Sequence, residues 1–133
     1  MYTGLYHLGL LFVGGGVGTL LRFGVVRWVH TAGPGGFPYG TLAVNIIGCF
    51  AIGALWHTLA TTWAVREEVR LALLVGLIGG FTTFSTFGLE TIQLWSDGHQ
   101  ARAIVYVLAS NIFGLAAVLA GLSLFPGVKE HAT

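Results

Sequence analysis

The stretch Gly79-Gly80-Phe81-Thr82-Thr83-Phe84-Ser85-Thr86-Phe87, followed by Gly88, constrains this chain more than any other. It interrupts an apolar segment, 71–95, that would run roughly 37 Å as unbroken helix, against about 30 Å for the hydrocarbon core of a bilayer. The segment is therefore expected to cross a membrane. Its middle, however, holds Thr82, Thr83, Ser85, Thr86 and a Gly-Gly pair, residues that favour irregular backbone or present hydroxyls. Backbone groups freed by such a break cannot face lipid, where each costs several kcal/mol; they must be buried in protein or line a watery cavity. A break at 79–87 is thus a site expectation, because half-helix ends near the midplane present unpaired N–H and C=O groups to ions.

Composition points the same way. Of 133 residues, 55% are hydrophobic and 8% charged, where soluble domains run about 25% charged; the mean hydropathy is +0.82. These values predict an all-α membrane protein of one domain, 1–133, with four spans at 5–26, 39–63, 71–95 and 103–125 joined by short loops. A net charge of +1 carries no nucleic-acid signal. Cys49 lies alone in an apolar run, so it reads as a packed thiol and no intrachain disulfide forms. Met1 to His7 lack a cationic region before the first apolar run, which argues against a cleaved signal peptide.

Along the first span Gly14, Gly18 and Arg22 recur every four residues, with Gly15 and Gly16 widening a small-residue face suited to close helix packing. Arg22 either snorkels to an interface or lines an aqueous vestibule, since a guanidinium is expensive at the bilayer centre. Gly33, Pro34, Gly35, Gly36 and Pro38 form a turn. In the second span Asn45 is the one strongly polar interior residue, and its amide serves either an interhelical hydrogen bond or a solute. Residues 64–70 read as a short charged connector whose Arg66, Glu67, Glu68 and Arg70 are solvated. Glu90, on the second half of the broken span, is either an intramembrane carboxylate or lies near the water interface. In the fourth span Tyr106, Ser110, Gly114, Ala117 and Gly121 share one face with Asn111 beside it, as a helix seam or as a polar track. Residues 126–133 read as a disordered end.

Enzyme chemistry finds no support. The five histidines, His7, His30, His57, His99 and His131, show no metal-binding pairs, and no nucleophile triad or nucleotide loop is present. What remains is aromatic. Phe84 and Phe87 stand three apart beside hydroxyls where the apolar run breaks. Ring edges carry the positive part of the aromatic quadrupole and can face an anion without a full charge. The pair reads either as ordinary packing or as part of an anion path, with no anion named by these arguments. The rival reading is a small dual-topology drug or proton-coupled transporter, which needs a carboxylate deep in its first span; 5–26 has none.

Together, Gly79 to Phe87, the segment Gly40-Thr41-Leu42-Ala43-Val44-Asn45-x-x-Gly48 and the pattern Gly14-x-x-x-Gly18-x-x-x-Arg22 resemble the Fluc (CrcB) family of fluoride channels, over essentially the whole chain. The resemblance implies an antiparallel, dual-topology homodimer of four-helix subunits in the inner (plasma) membrane, with two pores that passively export fluoride accumulating in the cell as HF dissociates. It implies that Phe84, Phe87 and Asn45 line the pore with Ser85 and Thr86. Tyr106 and Ser110 match a hydroxyl track, and Glu90 matches a carboxylate near the pore mouth, where Arg22 is also placed. Backbone carbonyls of Gly79 and Thr82 match those that hold a structural Na+ where the two broken helices meet. Some members carry a further hydroxyl at the position of Gly114.

Charge near the span ends is evenly divided. Arg66, Arg70 and Lys129 fall on one side, Arg22, Arg27 and Arg102 on the other, so the positive-inside rule selects no orientation. Two lysines added in the 64–70 connector should fix one orientation and lower fluoride efflux per cell, and a co-expressed copy with two lysines added near Arg27 should restore it. Cysteines introduced singly in the two connectors should both react with an impermeant reagent in intact cells; labelling of one connector only, with both reactive after permeabilisation, would rule out insertion in both senses.

Overall fold

The structure is a computed structural model that describes residues 4–32, 35–63 and 65–125. Gly33 and Pro34 of the expected turn, Ala64, and the tail 126–133 with Lys129 and His131 lie outside the described residues. Helix α1 spans Leu5–Ala32, and α2 spans Tyr39–His57 and continues as a π-helical turn, Thr58–Thr62. Residues 67–81 form α3, which is α-helical over Glu67–Leu71, π-helical over Ala72–Ile78 and α-helical again over Gly79–Phe81. Helices α4, Phe84–Ser96, and α5, Gln100–Leu124, complete the chain. Taken as Leu5–His30, Tyr39–Ala60, Glu67–Ser96 and Gln100–Leu124, four helical stretches among the described residues are long and apolar enough to cross a membrane.

The helix ends follow local chemistry. Helix α1 runs past Val26 because the next strong breakers stand only at Gly33 and Pro34. Gly36 and Gly98 adopt positive φ, +93° and +81°, a region that other residues avoid, and so make the sharp turns before α2 and between α4 and α5. With Gly98 closing α4, the next helix restarts at Gln100, ahead of Ala103. The charged connector is not merely solvated. Glu67 opens α3, where an acid suits the helix N-terminus. Arg70 Nε lies 3.3 Å from Glu67 Oε2, and His7 Nε2 lies 3.3 Å from Glu68 Oε1, tying the start of α1 to the start of α3.

The broken stretch is shorter than 79–87. Only Thr82 (φ −87°, ψ 162°) and Thr83 (φ −153°, ψ 122°) are extended, while Gly79–Phe81 and the residues from Phe84 on are helical. Two apolar clusters lie on either side of it. Leu59, Leu74 and Ile78 pack with Ile52 and Leu55 toward one end, and Leu94, Ala103 and Tyr106 pack with Phe37, Leu42 and Phe87 toward the other.

Glycines set the helix spacing. A Cβ on Gly14 would stand 2.5 Å from the Ala72 carbonyl, and one on Gly18 would overlap the Leu77 carbonyl, so the stripe predicted on α1 lies against the π-helical part of α3. Gly80 meets the Gly15 carbonyl in the same way, at 2.6 Å. Helices α2 and α5 are joined by Gly53, whose Cβ would overlap the Val118 carbonyl, and by Gly121, whose Cβ would overlap the Phe50 carbonyl. All these neighbours are backbone and cannot rotate away. Gly121→Val should therefore destabilise the folded protein by about 1–3 kcal/mol through overpacking, whereas Gly24→Ala, with open space around its Cβ, should stay within about 0.5 kcal/mol or gain slightly. Unfolding followed in detergent measures both.

Candidate functional site

Two residues leave the helix, and three other elements catch them. The last rung of α3 runs from the Thr82 N–H to the Ile78 carbonyl at 3.0 Å, and the Thr82 hydroxyl donates to the same carbonyl at 3.1 Å. The next amide, Thr83 N–H, donates instead to Asn45 Oδ1 at 2.8 Å, while Asn45 Nδ2 donates to the Thr83 carbonyl at 2.9 Å. A carboxamide has the donor–acceptor layout of a peptide group, so Asn45 pairs with Thr83 as a neighbouring strand would. One turn along α2, Gly48 leaves room for the Thr82 methyl group, which a Cβ there would overlap. From α1, Arg22 Nη1 donates to the Thr82 carbonyl at 3.3 Å.

The second helix starts from the same point. Thr83 is the N-cap of α4, its Oγ1 accepting the Thr86 N–H at 3.2 Å and donating to Thr86 Oγ1 at 3.0 Å, with Ser85 Oγ 3.4 Å away. Thr83 is buried, yet Ser85 and Thr86 are exposed.

Beside the break lies a cleft of about 300 Å³ walled by Asn45, Thr82, Thr83, Phe84, Phe87, Ser110 and Asn111. The Phe84 and Phe87 rings are 5.5 Å apart, tilted by 46°, and Phe84 is 83% exposed. Ser110 lines the cleft, and its buried Oγ has no hydrogen-bond partner among the described residues. Asn111 Nδ2 is engaged by the Val107 carbonyl at 2.8 Å.

Glu90 occupies separate ground. Its Oε1 accepts from Thr41 Oγ1 at 2.9 Å and its Oε2 from the Tyr106 hydroxyl at 2.7 Å, and both donors are fully buried. It also lines a second cleft, of about 230 Å³, with His30, Gln93 and Asp97 near the loop that precedes α2. Tyr106 links the two clefts, since its ring packs on Phe87 at 5.1 Å while its hydroxyl holds Glu90.

Comparison with known proteins locates this arrangement in a family. Residues 9–122 match the model of the CrcB-like proteins, described as camphor resistance (CrcB). The chain belongs to the CrcB family. Among its relatives are three proteins named fluoride-specific ion channel FluC. One, from Rhizobium leguminosarum bv. trifolii (strain WSM2304), is 45% identical over 115 residues, 86% of this chain and 91% of that protein. A second, from Chelativorans sp. (strain BNC1), is 45% identical over 118 residues, 89% and 94% of the two chains. A third, from Parabacteroides distasonis (strain ATCC 8503 / DSM 20701 / CIP 104284 / JCM 5825 / NCTC 11152), is 46% identical over 115 residues, 86% and 89%. As a CrcB protein with four spanning stretches, the chain is a multi-pass membrane protein.

Of the residues singled out in the sequence, Phe84, Phe87, Asn45, Thr82 and Ser110 share one cleft. Tyr106 and Glu90 meet each other behind it, and Arg22 reaches the break backbone. Gly79 stands apart, exposed, with nothing within 4 Å of an added Cβ. Thr41 and the capping role of Thr83 are not evident from residue type alone. Thr41 precedes Asn45 by four residues and so shares its helix face, the one signal that could have brought it forward. Asn45→Asp keeps an acceptor for the Thr83 N–H but sets a carboxylate oxygen against the Thr83 carbonyl, so it should cost about 1–3 kcal/mol and abolish transport together. Thermal unfolding and liposome flux, measured on one preparation, check the pairing; wild-type values in both would refute it.

Proposed function

We propose that the chain is one subunit of a fluoride-selective channel that lets cytoplasmic fluoride leave passively across the plasma (inner) membrane, lowering its toxicity. The observation that carries this reading is the cleft at the break, where Phe84, Phe87 and the unpaired Ser110 hydroxyl converge in a chain 45% identical to proteins named for fluoride conduction. A small anion that gives up its water needs donors or positive edges in place of it. Ring edges of Phe84 and Phe87 supply the latter, and Ser110 supplies a hydroxyl. Asn45 keeps one N–H beyond that given to Thr83. Tyr106 holds Glu90 back at the mouth, with Arg22 on the break beyond. No step requires catalysis, and the protein is not an enzyme on this reading. The transporter alternative lacks its acid, because α1 carries no Asp or Glu.

The working unit in this proposal is an antiparallel homodimer of copies inserted in both senses, with the break at mid-membrane. Support comes from the exposure of Ser85, Thr86 and Asn111 and of the backbone at Gly79, polar groups that lipid solvates badly. Na+ fits there as a structural ion. The Thr83 N–H that would close onto the Gly79 carbonyl is turned to Asn45, so that carbonyl stands at the end of a helix whose negative pole favours a cation, while the Thr82 carbonyl would have to be shared with Arg22. One chain offers too few oxygens for a hard cation, and a second copy would supply the rest.

Phe84→Ile and Phe87→Ile nearly conserve apolar volume but remove the ring edge. Each should abolish fluoride efflux from liposomes while the protein still purifies folded. Undiminished efflux in both would sink the aromatic pore.

A further inference from the structure

A further cavity lies apart from the break. It is a groove of about 570 Å³ between the first turns of α2 and α5, lined by Phe37, Tyr39, Leu42, Arg102, Val105 and Ala109, within the ~300–1,000 Å³ of small-molecule sites. Its walls are apolar except at the mouth. There Arg102 Nη1 sits 3.1 Å from where a Cβ on Gly36 would be, so the guanidinium rests on the tight turn before α2. Arg102 is exposed, and among the described residues no carboxylate pairs with it.

The groove faces away from the surface assigned above to a second copy. Successive residues of a helix are about 100° apart. Val105 and Ala109 each precede Tyr106 and Ser110 of the α5 seam, whereas Asn111, in the cleft at the break, follows Ser110. Groove and cleft thus flank the seam on opposite sides. From Arg102 to Ala109 is roughly 10 Å along the axis, a path from the headgroup level into the hydrocarbon, and Tyr39 marks that level as interfacial aromatics do.

We propose that this groove seats one anionic phospholipid, its phosphate on Arg102 and one acyl chain along Leu42, Val105 and Ala109. Charge decides the occupant: a lone cation above an apolar trough matches a lipid that joins a phosphate to a hydrocarbon tail, and a zwitterionic headgroup cancels part of that attraction. The proposal rests on membrane insertion and not on what the channel conducts.

The test uses the purified full-length protein in detergent with phosphatidylglycerol or phosphatidylcholine carrying a photoreactive group midway along one acyl chain. Crosslinks from phosphatidylglycerol should map to Leu42, Val105 and Ala109 and exceed those from phosphatidylcholine by at least about fivefold, the weight of one basic side chain beside an anionic lipid. Unlabelled phosphatidylglycerol should compete and unlabelled phosphatidylcholine should not. Arg102→Gln should bring the two lipids level, and Arg102→Lys should keep most of the difference. Equal labelling by both lipids overturns the proposal, as do labels spread over all the helices or a groove shielded by a second copy. The competition arm needs only wild-type protein, so a variant that fails to fold leaves the proposal open to refutation.

Discussion

The two hydrogen bonds between Asn45 and the Thr83 backbone hold the rest of the site in place. A helix interrupted between two packed neighbours has to dispose of an amide and a carbonyl that its own ladder no longer satisfies. One carboxamide from α2 takes both, at 2.8 and 2.9 Å. With that pair closed, Thr83 can turn its hydroxyl to capping α4, Phe84 and Phe87 follow as the first turn of a new helix, and the cleft acquires its aromatic wall. The interhelical bond expected at Asn45 is made, and the same side chain also lines the cleft.

Much of the architecture was legible because membrane spans are written in composition. Length and apolarity locate four helical stretches, and the Gly-Gly and Thr-Thr pairs locate the interruption to within a few residues. Its true extent was not legible. Glycine tolerates helix as well as extended backbone when neighbours pack around it, and Gly79 and Gly80 remain helical because Gly15 receives Gly80 across the interface. The ends of α1 and α4 likewise ran beyond the apolar runs, since backbone hydrogen bonding continues until a residue such as Gly98 stops it.

Site residues divided along the same line. Residue type brought forward Asn45, Ser110, Tyr106 and Glu90, polar groups in an apolar run, and spacing beside hydroxyls at the break brought forward Phe84 and Phe87. It did not bring forward Thr41, because an isolated threonine in a helix is ordinarily content with its own backbone; only the fold reveals that it faces Glu90. Nor does sequence distinguish Ser110, whose hydroxyl is left unpaired, from Ser123, whose hydroxyl bonds back to the Leu119 carbonyl.

The π-helical run Ala72–Ile78 gives the chain a phase as well as a shape. A π turn spends one more residue per hydrogen-bonded loop than an α turn, so everything after it is rotated relative to a regular helix. Forcing this run into α-helix at unchanged length would swing Thr82 and Thr83 by about 100°, away from Asn45, whereas removing one residue as it relaxes would leave them nearly in phase. Substitutions in 72–78 are then a matter of angle as well as of packing: the hydrogen-bonding pattern of that run is what aims the break.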